Sequence, residues 1–140
     1  MSLITKEALH KKSPQEITAL LYEACIVNLE ESKEAIIEKN YSLANSKLQK
    51  ANDILHRLGS GLNYEAGIIA DQLEAVYNYM AECLIKANIY KDVAIIDEVI
   101  ILLTNISSAW SKALVDNRDI QSKTIKQKAN AYEQNSIYDN

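Results

Sequence analysis

A chain of 140 residues with one proline and three glycines has few places to turn. Tight connections between strands use Gly and Pro repeatedly, whereas helix interiors exclude them. The chain is therefore read as all-α, built from a small number of long helices. Hydrophobic residues make up 48 % of it and Phe is absent, so the core is expected to consist of Leu, Ile, Val and Ala. The length suits one domain, which would bury roughly two thirds of the surface exposed by the unfolded chain.

The first helix has a sharp start. Ser13-Pro14-Gln15-Glu16 places a hydroxyl at the N-cap, Pro at the first helical position and Glu three residues after the cap. Apolar residues then recur at Ile17, Leu20, Leu21 and Ala24, with a second set at Tyr22, Cys25, Ile26, Leu29 and Ile36, and Asn40 suits the turn that follows. A second helix is expected from about Ser42 to Leu62, with its stripe at Leu48, Ala51, Leu55, Leu58 and Leu62. A third follows Asn63, a candidate N-cap, with Ile69, Leu73, Val76, Tyr77, Met80 and Leu84 in register, and ends near Ala87-Asn88. Asp92 can cap the fourth, whose stripe is Ile96, Val99, Ile100, Leu103, Ile106, Trp110, Ala113 and Leu114. Beyond Val115 the pattern thins, and Ile125, Ala129 and Tyr132 are read as a short weak helix with frayed residues after it. Short connections force consecutive helices to lie antiparallel. The expectation is an up-down four-helix bundle over residues 13–115, a flexible segment 1–12 and a weakly helical C-terminal tail 116–140.

Several classes of function are disfavoured. The net charge is −4, the wrong sign for a nucleic-acid surface. No uncharged apolar run approaches the ~20 residues of a membrane span, and residues 1–12 carry no signal-peptide pattern. Cys25 and Cys83 sit in helical patterns with no Cys or His at ligand spacing, which is the usage of small apolar residues in a reducing compartment. There is no Glu-x-x-His pair, no His-Glu-x-x-His and no glycine-rich phosphate loop. The chain is expected to be a cytoplasmic binding protein with no cofactor and no metal, and not an enzyme. One alternative from another class uses His56: His56-Arg57-Leu58-Gly59-Ser60 superficially resembles the phospho-acceptor stretch of histidine-phosphotransfer domains, which are also four-helix bundles. Gly59 stands where those domains carry a Lys to balance the phosphoryl charge.

Two helices carry more apolar residues than one core-facing stripe requires. The fourth adds Ile95, Ile101 and Leu102 to its stripe, and the first is apolar at Tyr22, Ile26 and Leu29 as well as at Leu20, Leu21 and Ala24. Either one helix lies centrally among the others, or the surplus forms a groove or a homodimer face for a partner.

A series of short motifs in order resembles the FliS family of flagellar export chaperones. Ser13-Pro14-Gln15-Glu16-Ile17 through Leu20-Leu21-Tyr22-Glu23 is similar to the family's opening. Lys50-Ala51, Ile54-Leu55 and Leu58 resemble its second helix, and Leu73 through Tyr77-Asn78-Tyr79-Met80 its third. Ala87-Asn88, Asp92, Glu98-Val99 and Trp110 follow at the family's distances, so the resemblance spans about residues 13–114. It implies a monomer or weak homodimer that binds the disordered C-terminal region of flagellin in the cytoplasm. It further implies that such binding blocks premature polymerisation and delivers flagellin to the flagellar type III export gate. A related adaptor with a different client is the alternative within the same class. The client groove would use helices two to four, with Ile69, Leu73, Tyr77, Ile95, Ile101 and Leu102 as candidates, some of which must be core. The family's Tyr-containing segment ahead of Ser13 has no counterpart in residues 1–12. A similar string, Ala131-Tyr132-Glu133-Gln134-Asn135-Ser136-Ile137, stands at the other end. Tyr132 and Ile137 are therefore candidate anchors for a tail that folds back and covers apolar surface.

Overall fold

Four helices account for the computed structural model, which describes the backbone of residues 12–62 and 67–138 and the side chains of 12–62, 67 and 70–116. Helix α1 spans Pro14–Ile37, α2 Tyr41–Ser60, α3 Ile68–Tyr90 and α4 Val93–Tyr138. They pack antiparallel, and no strand occurs among the described residues. The expected flexible segment 1–12 lies outside the described residues except for Lys12, as does the candidate cap Asn63.

The local signals act as their chemistry requires. Ser13 Oγ accepts the Glu16 amide at 3.2 Å, and Pro14 opens α1, where its missing N–H deprives no carbonyl of a donor. The α1–α2 and α3–α4 turns share one construction. Each places a lysine in the left-handed region, Lys39 at φ 62° and Lys91 at φ 50°. The next residue's amide reaches back five residues, Asn40 to the Ala35 carbonyl at 2.7 Å and Asp92 to the Ala87 carbonyl at 3.0 Å. That same residue caps the following helix, Asn40 Oδ1 taking the Leu43 amide and Asp92 Oδ1 the Ala94 amide.

Two sequence expectations are corrected here. Asn88 does not end α3, which continues to Tyr90. Its amide instead donates to Asn45 Oδ1 on α2 at 2.7 Å. Nor does the fourth helix end near Val115 and give way to a separate short one; α4 runs unbroken to Tyr138. Residues 116–138 lack Gly and Pro and include three Lys and three Gln. A thinning apolar pattern is no stop signal when nothing breaks the backbone.

The chain forms two compact units, Met1–Ser107 and Ser108–Asn140. In the first, the core is Tyr22, Cys25 and Leu29 of α1, Leu48, Leu55 and Leu58 of α2, Tyr77, Met80 and Leu84 of α3, and Ile96, Val99 and Leu103 of α4. Small residues, Ser32 and Ala35 facing α1's partner and Ala44 and Ala51 on α2, let α1 and α2 approach closely. The Cys25 thiol reaches the Ala51 carbonyl at 3.5 Å across that contact. Each fully buried Leu stabilises the bundle by about 1.5–3 kcal/mol relative to an exposed one. In the second unit Trp110 and Leu114 are half-buried and Val115 is exposed.

Candidate functional site

The first stretch of α4 decides where an apolar partner could sit. Only Ile96, Val99 and Leu103 of residues 93–107 are buried, although this stretch also holds Ile95, Ile100, Ile101, Leu102 and Ile106. Ile101 is 61 % exposed, and the other four are half-buried. Val93–Asp116 is long and apolar enough to cross a membrane by length and composition. It nonetheless carries Asp97, Glu98, Lys112 and Asp116, and its residues 93–107 lend one stripe to the bundle core. Asp97 is tied to α1 by Lys33, whose Nζ lies 2.5 Å from Asp97 Oδ1. That ion pair holds the Lys33 pKa above its usual value, the hydrogen bond to Asp97 being the largest cause.

The six groove candidates do not share one environment. Ile101 is exposed, and Leu73, Ile95 and Leu102 are half-buried. Tyr77 is only 3 % exposed and belongs to the core. Its hydroxyl bonds that of Tyr22, with the two rings tilted by 45° and their centroids 6.4 Å apart. Burial pushes the pKa of both tyrosines up, for Tyr77 assisted by the bond to Tyr22. The side chain of Ile69 lies outside the described residues. So do those of Tyr132 and Ile137, whose backbones belong to α4.

Sequence reasoning missed a pair on α3. Ile85 and Ile89 are 54 % and 69 % exposed, one turn apart. They border a depression of about 420 Å³ between α2 and α3, with Leu48 and Leu84 among its lining residues. Their spacing from the core position Leu84 was the available signal, since Ile85 lies one step off that stripe. His56 is exposed on α2. Among the described residues no group of three or more His, Cys, Asp and Glu could hold a metal ion.

A four-helix bundle with apolar side chains left outside its core is the build of a protein that holds other proteins. The family described as Flagellar protein FliS matches residues 4–117. The chain is 34 % identical over 101 residues to the flagellar secretion chaperone FliS of Vibrio cholerae, covering 71 % of this chain and 74 % of that protein. It is 29 % identical over 113 residues to the flagellar secretion chaperone FliS of Bacillus subtilis, covering 81 % and 84 %. A crystal structure of a bacterial flagellar chaperone superposes with a TM-score of 0.71 at 19 % identity, over 81 % of this chain and 92 % of that one, and so shares the fold. The chain belongs to the FliS family. Its class is thus a secretion chaperone and not an enzyme, and the phosphotransfer alternative at His56 loses its ground.

Proposed function

We propose that this protein is a cytoplasmic chaperone that binds the C-terminal segment of flagellin, keeps it from polymerising prematurely and delivers it to the flagellar type III export apparatus. The observation that carries the reading is the uncovered apolar side of α4 around Ile101, in a chain whose relatives are flagellar secretion chaperones. An amphipathic client segment laid along that side would hide its own apolar residues without folding as an independent unit. Ordering the client uses up part of the interface energy, which keeps release at the export apparatus feasible.

Ile95, Ile101, Leu102 and Leu73 are the residues assigned to this contact, and the core residue Tyr77 is left out of it. Isothermal titration of purified flagellin against the wild type and Ile101→Lys tests the assignment. Binding by the wild type, with loss in the variant at an unchanged thermal midpoint, is the expected result. No binding by the wild type would overturn the reading in favour of an adaptor with another client.

A further inference from the structure

The end of the bundle that carries both lysine turns is apolar where chain reversals are usually polar. Six of the ten large apolar side chains exposed among the described residues lie within six residues of Lys39 or Lys91. Ile37, Tyr41 and Leu43 flank the first turn, and Ile85, Ile89 and Tyr90 precede the second. Turns are usually polar because their backbone groups need partners, which water supplies. Here the Asn40 and Asp92 amides already pair with the Ala35 and Ala87 carbonyls, and the side chains of Asn40 and Asp92 cap the helices that follow. The apolar side chains can therefore leave water without stranding those backbone groups.

The two turns lie side by side. The Asn88 amide bonds Asn45 Oδ1 at 2.7 Å across α2 and α3, with Ile89 next to Asn88 and Tyr41 one helical turn before Asn45. The six side chains are 42–70 % exposed. Side chains of this size present about 150–250 Å² when fully open, so the six leave roughly 500–900 Å² of surface, against about 800 Å² that each partner gives to a stable interface. Charge at this end is balanced. Residues 33–45 carry Lys33, Glu34, Glu38 and Lys39, and residues 85–97 carry Lys86, Lys91, Asp92 and Asp97, so each set sums to zero in a chain of net charge −4.

We propose that this pole is the self-association face of the protein, meeting the same pole of a second copy about a two-fold axis. Area and charge together select that occupant. Two copies of an acidic chain repel one another over most of their surfaces, and like charges set face to face oppose association. A face that meets itself must carry both signs in equal number, and this one does, so each lysine can meet an acid of the other copy. A strongly basic or strongly acidic partner would instead call for an excess of one sign. Tyrosine and isoleucine at the centre with charges around them is the usual anatomy of such a contact. Ile101 lies about 13 Å along α4 from Asp92, so the pairing is a second surface beside the client contact and does not rest on it.

Sedimentation equilibrium of the full chain, from about 1 μM to about 1 mM, is the test. The wild type is expected to form a dimer with a dissociation constant on the order of micromolar, as an interface at the small end of the stable range does. Ile37→Lys and Ile89→Lys, one at each turn, are each expected to weaken it about tenfold or more. Both sites are exposed and near helix C-termini, where a cation is tolerated, so the thermal midpoints should hold; should one variant fail to fold, the other carries the test. Ile101→Lys should associate as the wild type does. A wild type that stays monomeric throughout, or a dimer that survives both pole variants, would overturn the proposal. So would a dimer lost only in Ile101→Lys, which would move the association to α4. A monomeric wild type whose affinity for flagellin falls in Ile89→Lys would give the pole to the client and overturn it as well.

Discussion

Helices α2 and α4 are both needed for the core, yet they spend their apolar residues differently. In α2 the buried positions Ala44, Leu48, Ala51, Leu55 and Leu58 hold five of the eight apolar side chains, while Ile54 is half-buried and Tyr41 and Leu43 are exposed at its start. In residues 93–107 of α4 three of ten apolar side chains are buried and seven are not. Most of the hydrophobic content of α2 is explained by folding. That of α4 is not, and the difference separates a helix that builds the bundle from one that also offers it to a partner.

The contrast breaks first at the core. Leu48→Ala in α2 and Leu103→Ala in α4 should each destabilise the protein by about 2–5 kcal/mol in urea titrations, since both side chains are fully buried. A tolerated Leu103→Ala would mean that α4 contributes little to the core and that the comparison is misdrawn.

The tyrosine pair between α1 and α3 should come next. Tyr22→Phe and Tyr77→Phe are each expected to cost about 1 kcal/mol, and the double variant less than their sum, because the two hydroxyls bond one another. Their raised pKa values set the sign of an alkaline effect. The unfolded chain ionises its tyrosines near pH 10 while the folded one resists, so this contribution is complete below about pH 10 and is lost as pH rises through the folded values. Urea midpoints at pH 8 and pH 11 should differ less in the double variant than in the wild type.

Smaller effects belong to the two lysine turns. Lys39→Gly should stabilise by about 0.5–1 kcal/mol, since glycine adopts the left-handed region without the penalty a Cβ brings. Lys91→Gly should gain less, because Lys91 Nζ bonds the Asn88 carbonyl at 2.8 Å and that bond would go. The smallest effect is the one that sharpens the contrast most. Ile101→Ser should leave stability within about 0.5 kcal/mol, as its side chain is mostly in water. A loss as large as that of Leu103→Ala would return Ile101 to the core.

The parts of this fold that were legible in the sequence are those governed by local chemistry. Ser13-Pro14 announces a helix start because capping is decided within one turn, and the α2 stripe is readable because its core residues recur at three- and four-residue spacing. Tyr77 and Asn88 were misread for a common reason: each has a polar group satisfied by a residue far away in sequence, Tyr22 and Asn45, and no window along the chain contains both partners. The surplus on α4 was visible as composition, but its rotation was not, so Ile101 and Tyr77 looked alike as groove candidates.

Cys25 deserves one last consequence. Its side chain is fully enclosed between α1 and α2, and burial pushes its pKa up to about 12. Only the thiolate attacks a labelling reagent, so at neutral pH the folded protein hides this atom twice over, by shape and by protonation. Cys83 is only half-buried and should react earlier. The unmodified chain therefore carries its own stopwatch: the lag between the first and second thiol labelled measures how often α1 and α2 part. Run with and without client, that lag reads whether cargo holds the carrier shut.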